Sequence, residues 1–100
     1  MNTEIKEIDG KYVVTLEGEM DTAAANEAEE VLKELYKNEG KELFFEFKDM
    51  EYIASSGLRI LINILKVTMA KGSRVVLRNV NDDIKNVFKL TGFLNIFEFE

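Results

Sequence analysis

The sequence predicts an α/β domain in which helices pack against a mixed β-sheet, an N-terminal hairpin extended by parallel strands. Three observations lead there. Residues 4–9 and 12–17 read as two strands around Asp9-Gly10, a strong hairpin signal. After them the segments run helix, strand, helix, strand, helix, strand, an alternation that favours right-handed crossovers onto a largely parallel sheet. Each helical segment is followed by a glycine (Gly40, Gly72, Gly92) with a lysine (Lys37, Lys71, Lys89) no more than four residues before it, as C-cap and helix-dipole chemistry favour.

Each element has its own warrant. In the second strand Tyr12, Val14 and Leu16 alternate with Val13, Thr15 and Glu17. Asp21 suits the N-cap of a first helix running to about Asn38, with Ala24, Ala28, Val31, Leu32, Leu35 and Tyr36 on one face and Glu29 paired to Lys33 on the wet side. Leu43 to Phe47 is a third strand with little room for a polar face, followed by a short loop. The second helix starts at Ser56 or Gly57 and runs to Ala70, and Val75-Val76-Leu77, bracketed by Arg74 and Arg78, forms the fourth strand. Asn81-Asp82-Asp83 opens a third helix with Ile84, Val87 and Phe88 inward, and Asn95 to Phe99 is the last strand.

The chain of 100 residues supports one domain, residues 1–100, and its 46% hydrophobic content is enough for one core without metal or disulfide. A formal charge of −6 argues against nucleic acid and anionic membrane as partners, because it would neutralise neither kind of phosphate surface. The lack of cysteine removes disulfides, thiol nucleophiles and thiolate metal sites; the lack of histidine removes the commonest general base and metal ligand. No cofactor and no metal site are expected. Neither a signal peptide nor an apolar run of about 18 residues is visible, so a cytoplasmic protein is expected.

Ala54-Ser55-Ser56-Gly57-Leu58 carries most of the functional information. Two readings of the serines stand open. Their hydroxyls can cap the second helix, or one can accept a phosphate, which the unpaired N–H groups and positive dipole end of a helix start tolerate well. A serine hydrolase fits poorly: the first glycine of a nucleophile elbow is missing and no histidine can serve as base. No phosphate-cradling glycine-rich loop precedes any helix.

Along the second helix Leu58, Leu61, Ile62, Leu65 and Met69 cluster on one side, and Ile60, Ile64 and Val67 widen the apolar arc beyond the usual stripe. Arg59, Asn63, Lys66 and Ala70 are left as the wet face. Either the helix is buried on most sides, or Ile60 and Val67 edge an exposed docking patch beside the serines. Asp21 is explained by capping alone; it would join Glu19 in an acidic rim for a basic partner if the loop before Ser55 lies at the same sheet end.

Together these segments resemble the STAS domain family, and within it the bacterial anti-sigma-factor antagonists. The likeness rests on residues 14–21 (Val14 to Asp21), more heavily on Leu43 through Leu61, and on Leu90-Thr91-Gly92-Phe93. It implies that Ser55, with Ser56 as second candidate, is phosphorylated by a partner anti-sigma factor that is itself a serine kinase. The unmodified domain would bind that kinase and free a sigma factor; phosphorylation would release the domain, and a PP2C-type phosphatase would reset it. The implied partner-binding residues are Met20, Asp21, Ser56, Gly57, Leu58, Arg59 and Ile60, and the domain is not an enzyme. Ala54 stands where many members carry aspartate, and many relatives add a final helix, so one layer is expected to be more exposed here. The alternative is a STAS module of another complex, stressosome-like or lipid-transport, using the same helix without phosphorylation.

Overall fold

A computed structural model describes residues 1–100. Strands β1 (Asn2–Ile8) and β2 (Lys11–Met20) form the expected antiparallel hairpin, in register from Asn2↔Glu17 to Ile8↔Lys11. Asp9 and Gly10 have φ of 51° and 75°, the two consecutive left-handed residues that match a two-residue turn to the strand twist. β2 then pairs in parallel with two strands in succession. Tyr12 to Thr15 face β3 (Leu43–Glu46), and Gly18 to Met20 face β4 (Met50–Ile53). Beyond β3 the sheet continues in parallel to β5 (Val75–Arg78) and β6 (Glu98–Phe99). Three helices, α1 (Thr22–Leu32), α2 (Ser55–Ala70) and α3 (Asp82–Leu90), complete the α/β domain.

The helices share one face of the sheet. Val14, Leu16, Leu43, Phe45, Val75 and Leu77 join residues of all three helices in a single core. Phe44 and Val76, also buried, point the other way. No helix covers that second face; long charged side chains do. The Arg78 guanidinium lies 4.2 Å from the centre of the Phe44 ring and the Lys11 ammonium 5.2 Å. Arg74 bonds Glu42 and reaches Glu98 at 3.0 Å, and Arg78 reaches Glu100 at 3.1 Å. The hydrogen bond from Arg74 holds the Glu42 carboxyl below its ordinary range, against a smaller opposing effect of desolvation.

Several expectations give way. The loop expected after Phe47 contains β4. Its buried residues, Met50 and Ile53, are three apart with Glu51 and Tyr52 exposed between them, a spacing that hides the period of two. The first helix does not continue to Asn38. It tightens after Leu32 into a 3-10 turn, Lys33–Lys37, which turns Leu35 inward, and Lys33 pairs with Glu30 at 2.9 Å rather than with Glu29. Buried Asn38 then closes the connection, accepting from the Lys41 N–H at 2.8 Å and donating to the Lys41 carbonyl at 2.6 Å. On α1 the inward stripe is Ala25, Ala28 and Leu32, and Val31 is left 43% exposed; three consecutive alanines gave the pattern no means to choose among them. The last strand shrinks to two residues, because Leu94–Ile96 form a 3-10 turn instead.

Helix α2 starts at Ser55 and buries Gly57, Leu58, Ile60, Leu61, Ile64, Leu65 and Thr68. Met69 is exposed and Ile62 and Val67 are half-buried, so the buried stripe is rotated from the expected one. Ile60 edges no exposed patch: it is 6% exposed, packed into the core. The start of α2 rests directly on the ends of β2 and β4. The Ala54 N–H donates to the Met20 carbonyl at 2.8 Å, and a Cβ on Gly57 would stand 2.9 Å from Met20 Sδ and 3.0 Å from Ile53 Cγ1. Glycine is required there by close approach.

Three outcomes are expected in thermal unfolding. Gly57→Ala gains about 1 kcal/mol of helix propensity but overpacks a site between two fully buried side chains at about 1–3 kcal/mol, so the net effect is a Tm lower by roughly 4–8 °C. Ala54→Asp supplies the N-cap oxygen that alanine lacks and should raise stability by about 0.5–2 kcal/mol. Because the Glu42 pKa is lowered on folding, its contribution is present above the unfolded carboxylate pKa and disappears as pH falls through the folded value. The stability gap between the wild type and Glu42→Gln should therefore close on acidification from about pH 7 to about pH 3.

Candidate functional site

Parallel pairing of β2 with β4 brings two strand-to-helix junctions to the same end of the sheet. Met20 lies opposite Ile53, so Asp21-Thr22 and Ala54-Ser55-Ser56 leave the sheet side by side. A register shift between Gly18 and Glu19 makes this possible. Gly18 takes a φ of 98° and donates its N–H to the Asp49 carbonyl at 2.9 Å, where β2 passes from β3 to β4.

The two helix starts are finished differently. Asp21 caps α1, its carboxylate accepting the Ala24 N–H at 2.8 Å. Neither serine caps α2. The N-cap is Ala54, which has no side-chain acceptor, and its carbonyl takes the Gly57 and Leu58 N–H groups at 3.0 and 3.1 Å. Ser55 is the first residue of α2 and is exposed. Ser56 is half-buried, and its hydroxyl donates to Thr22 Oγ1 at 3.4 Å, tying the first turns of the two helices together. The capping account of the serines is thereby overturned, and Ser55 is left with its hydroxyl free for other chemistry at the positive end of a 16-residue helix.

The residues expected to meet a partner divide into two layers. Asp21, Ser55 and Arg59 are exposed and Ser56 is half-buried. Met20, Gly57, Leu58 and Ile60 are buried beneath them, so they form the foundation of the site and the three side chains present no contact surface. Glu19 is exposed on the same sheet end, which meets the geometric condition for an acidic rim with Asp21. Tyr52 was missed altogether. It lies opposite Glu19 in the β2–β4 register and is 50% exposed, a large aromatic three residues from Ser55. Its signal in the sequence was a lone aromatic among Lys48, Asp49 and Glu51, which a loop assignment masked.

The surface around Ser55 is not a cleft. Two concavities exist, one between β1 and α1 and one between the end of α2 and β5–β6, and Ser55 lines neither. No cluster of three or more Asp and Glu side chains converges on a metal-sized site. What the arrangement offers is an exposed hydroxyl on a rigid platform, suited to recognition by a macromolecular surface.

Comparisons with known proteins give the family and the fold. The STAS domain family model matches residues 2–100. The anti-sigma-B factor antagonist of Staphylococcus aureus is 26% identical over 96 residues, covering 96% of this chain and 89% of that protein. An anti-sigma factor antagonist from Mycobacterium paratuberculosis superposes with a TM-score of 0.82 at 25% identity, over 98% of this chain and 83% of that one. SpoIIAA of Bacillus, solved unphosphorylated and phosphorylated, superposes with TM-scores of 0.77 and 0.76 at 16% and 17% identity, covering 99% of this chain and 87% and 91% of those, a likeness of fold. With a fold shared across this group and a family match over nearly its whole length, the chain belongs to the STAS domain family.

Proposed function

We propose that this domain is an anti-sigma-factor antagonist whose binding to a serine-kinase anti-sigma factor is switched off by phosphorylation of Ser55. The observation that carries the reading is Ser55 itself, exposed at the uncapped start of α2 and standing beside Asp21 and Thr22. The name of the Staphylococcus aureus relative and the phosphorylated form of SpoIIAA support it. In this cycle the unmodified domain occupies the kinase and frees a sigma factor, and a PP2C-type phosphatase restores the hydroxyl. The partner would rest on Asp21, Ser56 and Arg59 around Ser55, joined by Glu19 and Tyr52. The function is binding, and Ser55 is the kinase's substrate rather than a nucleophile. No helix of the structure is long and apolar enough to cross a membrane, and the proposed partners place the cycle in the cytoplasm.

The magnitudes explain why such a switch acts on binding and spares the fold. A phosphoserine adds a charge of about −1.5 to −2 at neutral pH. Facing the helix start, that charge gains roughly 0.3–1 kcal/mol from the dipole, and Ala54 puts no carboxylate in its way. Under a docked protein the same charge must be desolvated at several kcal/mol, and about 1.4 kcal/mol already weakens binding tenfold.

Incubation with ATP and the cognate kinase should place one phosphate on Ser55, read by mass spectrometry. Ser55→Asp should keep its Tm within a few degrees, as the dipole magnitudes require, and lose at least about tenfold in partner affinity. Full binding by Ser55→Asp together with an unmodified Ser55 would replace this reading with that of a STAS module in a stressosome-like or lipid-transport complex. Covalent labelling of Ser55 by a serine-directed fluorophosphonate would replace it with a hydrolase.

A further inference from the structure

β1 is an edge strand with a free side. The Tyr12 N–H donates to the Glu42 carbonyl at 3.0 Å and the Gly18 N–H to the Asp49 carbonyl at 2.9 Å, so even-numbered residues of β2 direct their backbone toward β3 and β4. Odd-numbered residues of β2 therefore bond β1, through their register partners Asn2, Glu4, Lys6 and Ile8. The backbone N–H and C=O groups of Thr3, Ile5 and Glu7 point away from the sheet. An edge of this kind is a template for another strand unless something opposes pairing.

The charges on this edge favour one pairing over the registers on either side of it. About a twofold axis through Ile5, an antiparallel second copy of β1 places Ile5 opposite Ile5 and Thr3 opposite Glu7. These are the outward-facing residues, so each pair exchanges two N–H···O=C bonds. The intervening pairs bring Glu4 of each copy opposite Lys6 of the other, at the closer cross-strand spacing of about 4.5–5.5 Å. Moving the axis to Glu4 sets Glu4 against Glu4, and moving it to Lys6 sets Lys6 against Lys6. An axis between residues brings inward and outward backbone groups together and forms no ladder. Within one chain Glu4 and Lys6 already lie 3.3 Å apart on the same face, so the paired edges would join them in a four-charge cluster.

The other side of the seam is mixed. Met1, Thr3, Ala24, Glu27, Ala28 and Val31 line a groove between β1 and α1, with Met1 44% and Val31 43% exposed and Glu27 exposed beside them. We infer that this edge binds a second copy of the chain through antiparallel β1–β1 pairing centred on Ile5, in register with reciprocal Glu4–Lys6 contacts. The surface lies on the edge strand and leaves Ser55 free, so the inference does not depend on the proposed phosphorylation.

Sedimentation of the full chain over a concentration series reaching the millimolar range tests it. The wild type should dimerise, and the backbone amides of Thr3, Ile5 and Glu7 should gain hydrogen-exchange protection as the dimer forms. Glu4→Lys and Lys6→Glu each turn both contacts repulsive and should weaken association by about tenfold or more. An equal mixture of these two variants should associate as a heterodimer, and the double variant E4K/K6E should recover self-association. The substituted side chains are exposed, so an unchanged thermal transition verifies folding in each case. A wild type that stays monomeric throughout, a dimer indifferent to the single swaps, or a failure of the mixture to associate overturns the inference.

Discussion

Hydrogen bonding of β2 along both edges is the constraint on which the rest of the structure depends. One edge is closed by the hairpin strand β1; the other is shared by β3 and then by β4. The slip at Gly18-Glu19 lets a single strand serve both partners, and it aligns Met20 with Ile53. Since α1 follows Met20 and α2 follows Ile53, the starts of these helices must emerge together. The neighbourhood of Asp21, Thr22, Ser55 and Ser56 is thus a property of strand register before it is a property of any side chain.

On that platform the residues beneath the surface and those above it answer to different physics. Met20, Ile53, Leu58 and Ile60 are fixed by packing, and Gly57 by the lack of space for even one methyl group beside Met20 Sδ. This rigidity holds the first turn of α2 against the sheet. Above it Ser55 is restrained only by its backbone. A group added to the hydroxyl meets solvent and the positive end of the helix, so the core is indifferent to a modification that an approaching surface would meet directly. Ala54 sharpens the contrast, because the cap position holds no side-chain oxygen to bond the first-turn N–H groups.

Charge serves a second purpose on the face of the sheet that no helix covers. Phe44 is covered there by Lys11, Arg74 and Arg78, whose charged heads lie over the ring and also meet Glu42, Glu98 and Glu100. Such pairs contribute little stability individually, but together they keep an aromatic strand residue from water without a third layer. The ordered charges of β1 lie at the margin of the same face. There they set which pairing an open edge favours, much as Arg74 and its neighbours set which groups may sit over Phe44.

Local chemistry alone determined much of this protein. Asp9-Gly10 specified the hairpin, Asp21 and Asn81 the starts of α1 and α3, and the alternation of periods the mixed sheet, because turns, caps and periodicity act over a few adjacent residues. Ser55 was legible as a candidate for the same reason: a serine pair before an apolar helical run is a local pattern. Tertiary structure alone decided that Ala54 and not a serine is the cap of α2, that Ile60 faces inward, and that Tyr52 stands exposed beside the site. It also decided that β4 exists, since Met50–Ile53 becomes a strand through pairing with Gly18 to Met20 of β2, far earlier in the chain. Pairing partners, helix rotation and exposure are set by what lies across space, and no window along one chain contains that information.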